Sequence, residues 1–428
     1  MKKIFASILI IIISITFILT SMPKKVYAQD QSNQIVTGAE QYMVDFLEAN
    51  QDRTSFSEGE AKAAQWLKQK FDSFSLSEAV IQNFESEYDN KNLKSQNVIW
   101  GLDNKKQKQV IICAHYDNIY GSDVISGYKA EGAYNNASGI GVMLALADYF
   151  SKLQTDLDYN ILFIALGAEE PGLLGSKYYE SKMLPSERDN TLLVIDLDCV
   201  GGGDYLYLYC DELETVHEKF IKNIADKNNK ALRLPPSNKK TFTAITPLAP
   251  YLHYGLNSAN INFLKSGINS VHFFSRNWHT NNKIGAVESE KHPSIIYTAD
   301  DTLKTLTKYY GDTYIQKMNS AADIVYYTLT DKDFVSTMEK SSAEKKDYSL
   351  LTDGNLVTYI KLGLLIIMGV IVFLLTRRFM SRYPVPIIKI RQVPPAVFGD
   401  EYENKKGDNS GESNNSNKTD HKNPFDGY

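Results

Sequence analysis

Cysteine is scarce in this chain: Cys113, Cys199 and Cys210 are the three in 428 residues. Three thiols cannot build a disulfide framework, so they are read as packing residues, with a Cys199–Cys210 bridge left open. Positive charge is not in excess either. With 46 Lys and Arg against 51 Asp and Glu the formal net charge is −5, which supplies no general basic field and argues against nucleic acid as a partner. Small molecules or peptides fit better. No internal repeat is evident, so a repeat array is set aside. One further absence matters below: the stretch GAYNNASG, Gly132 to Gly139, contains no carboxylate.

Apolar residues are plentiful, at 43%, enough for one large domain or two ordinary ones. The chain opens with Lys2 and Lys3, an apolar run from Ile4 to Leu19 and the small-residue signal Val26-Tyr27-Ala28. This reads as an export signal over 1–28, with an uncleaved anchor as the alternative. A second apolar segment, expected to form a transmembrane helix over 356–376, is followed by Arg377, Arg378, Arg382, Lys389 and Arg391, the asymmetry of a cytoplasmic flank. The expected layout is a single-pass protein of the cell membrane: a domain over 34–330 outside, a juxtamembrane stalk over 331–355, and a polar, disordered tail within 377–428 inside. Gly363 and Gly369 lack the GxxxG spacing of a dimerising helix.

Helical spacing of apolar residues marks segments starting at Thr37 and Ser57, the second with Ser57 and Glu60 in capping-box positions. Strand-like runs begin at Ala79, Gln96, Gln109, Tyr159, Leu192 and Asp204, and helical patterns at Ser138, Glu212 and Thr313. Apolar β-rich runs alternating with helices imply an α/β fold, a three-layer sandwich around a mostly parallel sheet. Ligands of such sheets bind beyond the carboxyl ends of the strands.

Those strand ends read His115 and Asp117 in AHYD, Glu169 and Glu170 in LGAEEPG, and Asp198 in DLDCVG. An imidazole with several carboxylates on one rim suits zinc, Asp117 can fix the second ring nitrogen of His115, and one of two adjacent glutamates can serve as a base. Taken singly, each motif is weak: an HxD is more often a surface turn, and a Glu pair at a helix start is favoured by the helix dipole alone.

Taken in order, NVIWGL, VIICAHYD, GAYNNASGIGVMLALA, ILFIALGAEEPGLLGSKYY, VIDLDCVGG and YTADDT resemble the co-catalytic zinc exopeptidases of the aminopeptidase Y and bacterial leucyl aminopeptidase type, over about Thr37 to Leu329. The resemblance implies His115, Glu170 and Asp198 as metal ligands and Glu169 as catalytic base, with Asp117 beside the histidine. It also exposes departures. Asn135 stands where the family has a bridging aspartate, Tyr297 where it has a histidine, and Ser258–Asn260 reads SAN for SDH. An amide cannot neutralise two dications, so one zinc is expected rather than two, with a metal-free domain as the other reading.

Two readings of function follow. One is a membrane-anchored aminopeptidase that hydrolyses peptides; the other is a degenerate peptidase-fold ectodomain that binds or scaffolds a peptide or protein. His279 and His292 are candidate substitute ligands, and Tyr251, Tyr254 and Phe274 candidate pocket walls.

Overall fold

The structure, a computed structural model, describes residues 34–382 apart from 75, 89, 119–129, 154–156, 211–214, 236–257, 279–286 and 344–353, with backbone alone for 354–362, 364 and 379–382. The export signal, the tail from residue 383, Tyr251, Tyr254 and His279 lie outside the described residues. The chain divides into two units, residues 1–357 and 358–428.

The first unit carries strands β1 (Val80–Tyr88), β2 (Lys91–Leu102), β3 (Gln109–His115), β4 (Asn160–Leu166), β5 (Thr191–Leu197), β6 (Tyr205–Cys210) and β7 (Ser270–Arg276). Its helices are α1 (Ala39–Ala49), α2 (Glu58–Asp72), α3 (Ser138–Lys152), α4 (Leu174–Lys182), α5 (Pro185–Asn190), α6 (Val216–Lys227), α7 (Asn260–Lys265), α8 (Leu303–Tyr310), α9 (Asp312–Thr330) and α10 (Phe334–Ala343).

The strands form one sheet in the order β1-β2-β4-β3-β5-β7-β6. Only its centre is parallel. β4, β3, β5 and β7 run the same way, while β1–β2, β2–β4 and β7–β6 pair antiparallel, so the expected mostly parallel sheet is a mixed one with antiparallel edges. The physical reason lies in the edges: β1 buries Phe84 alone along its length, a one-faced strand that suits an antiparallel hairpin.

Alternate residues of the central strands feed two cores. Val110, Ile112 and Ala114 of β3 face the larger cluster with α1, α2, α3 and α9, and Ile111 and Cys113 face the smaller one with Phe263 and Met183. Three layers result, helices on both faces of the sheet. All three cysteines are buried and none is in a disulfide, which answers against a Cys199–Cys210 bridge.

Two segments differ from the sequence expectation. Strand β7 was not foreseen, because SVHFFSR carries Ser270, His272 and Ser275 in an otherwise apolar run. The segment read as the start of a stalk instead folds back as α10, burying Phe334 and Met338, with the Phe334 ring 5.2 Å from that of Tyr159. The packed domain therefore extends to residue 343.

A further helix, α11 (Gly354–Arg382), covers the expected membrane span, and its large apolar side chains from Leu365 to Leu375 are 50 to 63% exposed. Among the described residues no helix is long and apolar enough to cross a membrane.

Candidate functional site

The site lies where the central strands end. His115 is the last residue of β3, Asp198 follows β5, and Glu169 and Glu170 lie between β4 and α4. Asn135 sits in the turn Ala133–Ala137 that enters α3, and Tyr297 in the turn before α8. Together with Gly172, Leu173 and residues of α4 and α7 they line a cavity of about 450 Å³.

His115 is the hub. Its Nε2 lies 3.1 Å from Asn135 Oδ1 and 3.4 Å from Asp198 Oδ1. On its other side Nδ1 faces Asp117, 3.2 Å from the main-chain oxygen and 3.4 Å from Oδ1. Asp117 thus reaches the second ring nitrogen chiefly through its backbone. Its carboxylate Oδ2 accepts from Ser55 Oγ at 2.6 Å and from the Glu170 main-chain N–H at 3.1 Å, tying the His115 strand end to the glutamate loop.

The glutamate loop is braced from below by Glu60. This residue was noticed as a helix cap, and Ser57 Oγ does accept from its N–H, but its own carboxylate does more than cap. It accepts from Phe56 N at 2.7 Å, Ser95 Oγ at 2.8 Å and Ala168 N at 2.8 Å, fixing the residue before Glu169. Ala168 has φ 50°, a left-handed conformation that a non-glycine residue holds only when its surroundings impose it. Glu169 then accepts from the main-chain N–H and, at 2.9 Å, the hydroxyl of Ser176.

Asn135 is held on every side. Its main-chain N–H donates to Asp301 Oδ2 at 3.0 Å, beside Tyr134 N–H to Oδ1 at 2.7 Å. Its side-chain amide donates to Glu170 Oε1, and its Oδ1 accepts from Cys199 Sγ at 3.1 Å. The following Asn136 donates to Leu197 O and accepts from Gly139 and Cys199 N–H, joining turn, helix and β5. The approach there is so close that a Cβ on Gly139 would meet Leu197 O at 2.2 Å. The Asn135–Asn136 peptide is cis.

Electrostatics follow from burial. Glu169 and Glu170 are each pushed up to about 8, burial being the main cause, opposed by Ser176 for the first and by His115 for the second. Burial alone would raise Asp198, yet the neighbouring His115 and His272 imidazoles hold it well below the usual range. For His115 burial works downward and is overcome by Asp117 and Asp198, which raise it.

Tyr297 reaches the cavity with φ 60° and is 47% exposed. The negative charge of Glu170 is the first of the influences that raise its phenol pKa, so the phenolate is disfavoured in the chain by itself. The other expected pieces fall elsewhere. His292 stacks on Tyr309 at 4.6 Å and lines an adjoining cavity that shares Tyr297, so it is not brought to the site as a ligand. Phe274 is a core residue against Tyr209 and Tyr134 instead of a pocket wall. Asn260 donates its N–H to Asp196 Oδ2 at 3.1 Å, and among the described residues its side-chain oxygen has no partner.

Sequence reasoning missed several supports. Ser176 and Asp301 stand inside motifs already quoted, where their spacing to Glu169 and Asn135 was the available signal. Ser258 stands in the SAN stretch already noted, but its bonds to Asp196 Oδ2 at 2.6 Å and Asp198 Oδ2 at 3.0 Å were missed, and His272, 3.6 Å from Asp198 Oδ2, had no local signal.

Can these residues hold a metal? Among the described residues no group of three or more His, Cys, Asp and Glu is arranged to do so. The set at hand differs in kind: one imidazole, one carboxylate and one amide oxygen. A charge-assisted N–H···O bond closes to about 2.7–2.9 Å. The 3.4 Å between His115 and Asp198 is wider, and among the described residues Asp198 Oδ1 has no hydrogen-bond partner. Two donor atoms bound at about 2.0–2.1 Å to one tetrahedral zinc lie roughly 3.3 Å apart. The separations of Asn135 Oδ1 and Asp198 Oδ1 from His115 Nε2, 3.1 and 3.4 Å, each come close to that spacing.

The comparisons agree with this architecture. The model of "Peptidase family M28" matches residues 97–316, just over half of the chain. Among curated proteins the chain is 29% identical over 262 residues to the alkaline phosphatase isozyme conversion protein of Escherichia coli (strain K12), covering 56% of this chain and 73% of that one. It is 28% identical over 237 residues to aminopeptidase YwaD of Bacillus subtilis (strain 168), covering 55% and 44%. It is 36% identical over 121 residues to BOS complex subunit NCLN of Canis lupus familiaris, covering 26% and 20%. The chain thus spans less than half of the last two. A solved structure of BSAP, a zinc aminopeptidase from Bacillus subtilis, superposes with a TM-score of 0.53 at 14% identity, over 71% of this chain and 98% of that one, which establishes a shared fold.

Proposed function

The chain belongs to peptidase family M28, and on that premise we propose that it is an extracytoplasmic, membrane-anchored aminopeptidase working with a single zinc ion. The observation that carries this reading is the placement of Asn135 and Asp198 oxygens 3.1 and 3.4 Å from one imidazole nitrogen, in a cavity that Glu169 also lines. His115, Asp198 and Asn135 would hold the ion, which supplies Lewis-acid polarisation of a carbonyl and of water. Asp117 orients His115. Glu169, fixed by Ser176, takes a proton from the attacking water and hands it to the departing amine. At neutral pH its buried carboxyl is poised near its own pKa of about 8, and a nearby dication favours the ionised form. Glu170, bonded to the Asn135 amide, helps to bind the free amino group of the substrate.

Support for anchoring comes from the sequence alone: the apolar amino-terminal run, and the apolar segment over 356–376 followed by Arg377, Arg378 and Arg382.

A second reading has its own observation. Glu170 is engaged by the Asn135 amide, and Tyr297 is an unfavourable phenolate beside it, so the residues suited to a second ion are spent on each other. This favours a binding or scaffolding domain, in line with a relative named as a complex subunit.

The test is metal content and turnover together: zinc per chain by elemental analysis, then a panel of aminoacyl substrates with and without zinc or cobalt. About one zinc per chain with turnover abolished by chelation is the expected result. A folded chain that binds no zinc and hydrolyses nothing overturns the enzyme reading in favour of the scaffold. Asn135→Asp with Tyr297→His should raise the stoichiometry toward two.

A further inference from the structure

The cavity carries charge of both signs. Buried acidic residues Glu169 and Asp198 line it with Glu170, and so do Lys177 and Lys265, both exposed. Among the described residues neither lysine is paired with a carboxylate. Each acidic wall residue is already engaged: Glu169 by Ser176, Glu170 by Asn135, Asp198 by Ser258.

The positions of the two lysines are not accidental to flexible loops. Lys177 is in α4 and Lys265 closes α7, and the two helices are clamped together. Asn262 donates to Ser176 Oγ at 2.8 Å and to Leu173 O at 3.2 Å, and the Tyr179 and Phe263 rings meet at 6.1 Å. Ser176 is also the residue that holds Glu169. The two lysine-bearing helices and Glu169 are therefore tied together through Ser176, and the low-dielectric walls of a cleft focus the field of the charges that line it.

We infer that Lys177 and Lys265 form an anion subsite that recognises a carboxylate of the peptide, selecting short zwitterionic or acidic substrates whose amino end lies at the acidic residues. This inference rests on the peptidase reading and deepens it. An extended chain advances at most about 3.3–3.6 Å per residue, so a di- or tripeptide spans a cavity of this size. The carboxylate has two sources, the chain terminus of a short peptide or an acidic side chain, and the same lysines serve either.

The test measures binding to the full chain carrying Glu169→Gln, which suppresses turnover, with zinc present. Three tripeptides are compared: Leu-Gly-Gly with a free terminus, Leu-Gly-Gly amide, and Leu-Glu-Gly amide. An exposed ion pair contributes roughly a two- to fivefold gain per lysine, so about a tenfold preference for a carboxylate-bearing peptide over Leu-Gly-Gly amide is expected at low salt, shrinking as salt rises. The arm that shows it identifies the source. Lys177→Ala with Lys265→Ala should remove the preference, and Lys177→Glu with Lys265→Glu should reverse it toward Leu-Lys-Gly amide. Both side chains are exposed, so an unchanged melting temperature verifies the fold. Equal affinity for all three tripeptides overturns the anion subsite while leaving the peptidase reading standing. Absence of binding by any peptide overturns both.

Discussion

Replacing Glu60 by alanine should damage the protein more than any surface change in α2, because Glu60 is where the helix and the glutamate loop are joined. Three donors converge on its carboxylate: Phe56 N, Ser95 Oγ and Ala168 N, at 2.7 to 2.8 Å. A buried donor left without its acceptor costs about 1–3 kcal/mol. The Ser95 hydroxyl can rotate to another partner, but the two main-chain N–H groups cannot, so the loss is about 3–5 kcal/mol, a large share of a typical 5–15 kcal/mol. Urea unfolding with unchanged m value measures it. Glu60→Gln separates charge from shape. Burial pushes the Glu60 pKa from 4.5 up to about 8. A folded pKa above the unfolded value means stability that is present below pH 4.5 and lost as pH rises through about 8. The wild type should therefore lose stability across that window relative to Glu60→Gln, with a slope of at most about 1.4 kcal/mol per pH unit. A Glu60→Ala loss under about 1 kcal/mol, or parallel pH curves for wild type and Glu60→Gln, would refute the reasoning.

Three other substitutions test separate parts of the structure. Glu169→Gln should lower kcat by about 10²–10⁴ on any aminoacyl substrate with little change in KM, read by steady-state kinetics; an equal loss in KM alone would assign Glu169 to binding. Phe334→Ala should cost roughly 3–5 kcal/mol in denaturant unfolding because its ring is buried against Tyr159, whereas a true stalk residue would cost nothing. Burial depresses the Lys317 pKa to about 7, so the wild type loses stability as pH falls through that value, and Lys317→Met should flatten this limb, comparing unfolding midpoints at pH 9 and pH 6.

Much of the fold was legible because its central strands are continuous apolar runs. QVIICAH and LLVIDL are buried on both faces, and such runs bounded by turns announce themselves. What hides is polar residues serving the interior. β7 escaped because His272 and two serines interrupt it, although Ser275 Oγ bonds Val200 O and Ser270 Oγ bonds Asn260 O inside the core. Helix α10 escaped because its apolar residues Phe334 and Met338 are one turn apart among charged neighbours, a stripe too narrow to distinguish from a linker until Tyr159 is known to wait for it.

At the site the difference is one of shells. The residues that face the cavity, His115, Asn135, Glu169, Glu170, Asp198 and Tyr297, lie in motifs that local sequence displays. Asp117 and Ser176 orient their partners locally, but other supports come from far away in the chain. Glu60 reaches Ala168 across 108 residues and Asp301 reaches Asn135 across 166, and no periodicity encodes a pairing at that distance. Such supports emerge only when topology brings strand ends together.

Asn135 changes what the site demands of the fold. Asp117, Glu169, Glu170 and Asp198 crowd around a single imidazole, so the cluster already holds more potential negative charge than His115 can offset, and burial has raised both glutamates in response. An aspartate at 135 would add a fifth carboxylate facing Glu170, and without a cation one of the two must take up a proton or the turn must move. The amide removes that charge and supplies a donor to Glu170 and an acceptor to Cys199 in the same place. A chain with Asn135 can therefore keep its turn and α3 in register with no ion bound, which a chain with five carboxylates could do only at a cost in stability. The amide at 135 thus removes a charge that the turn would otherwise have to balance with a cation or a proton.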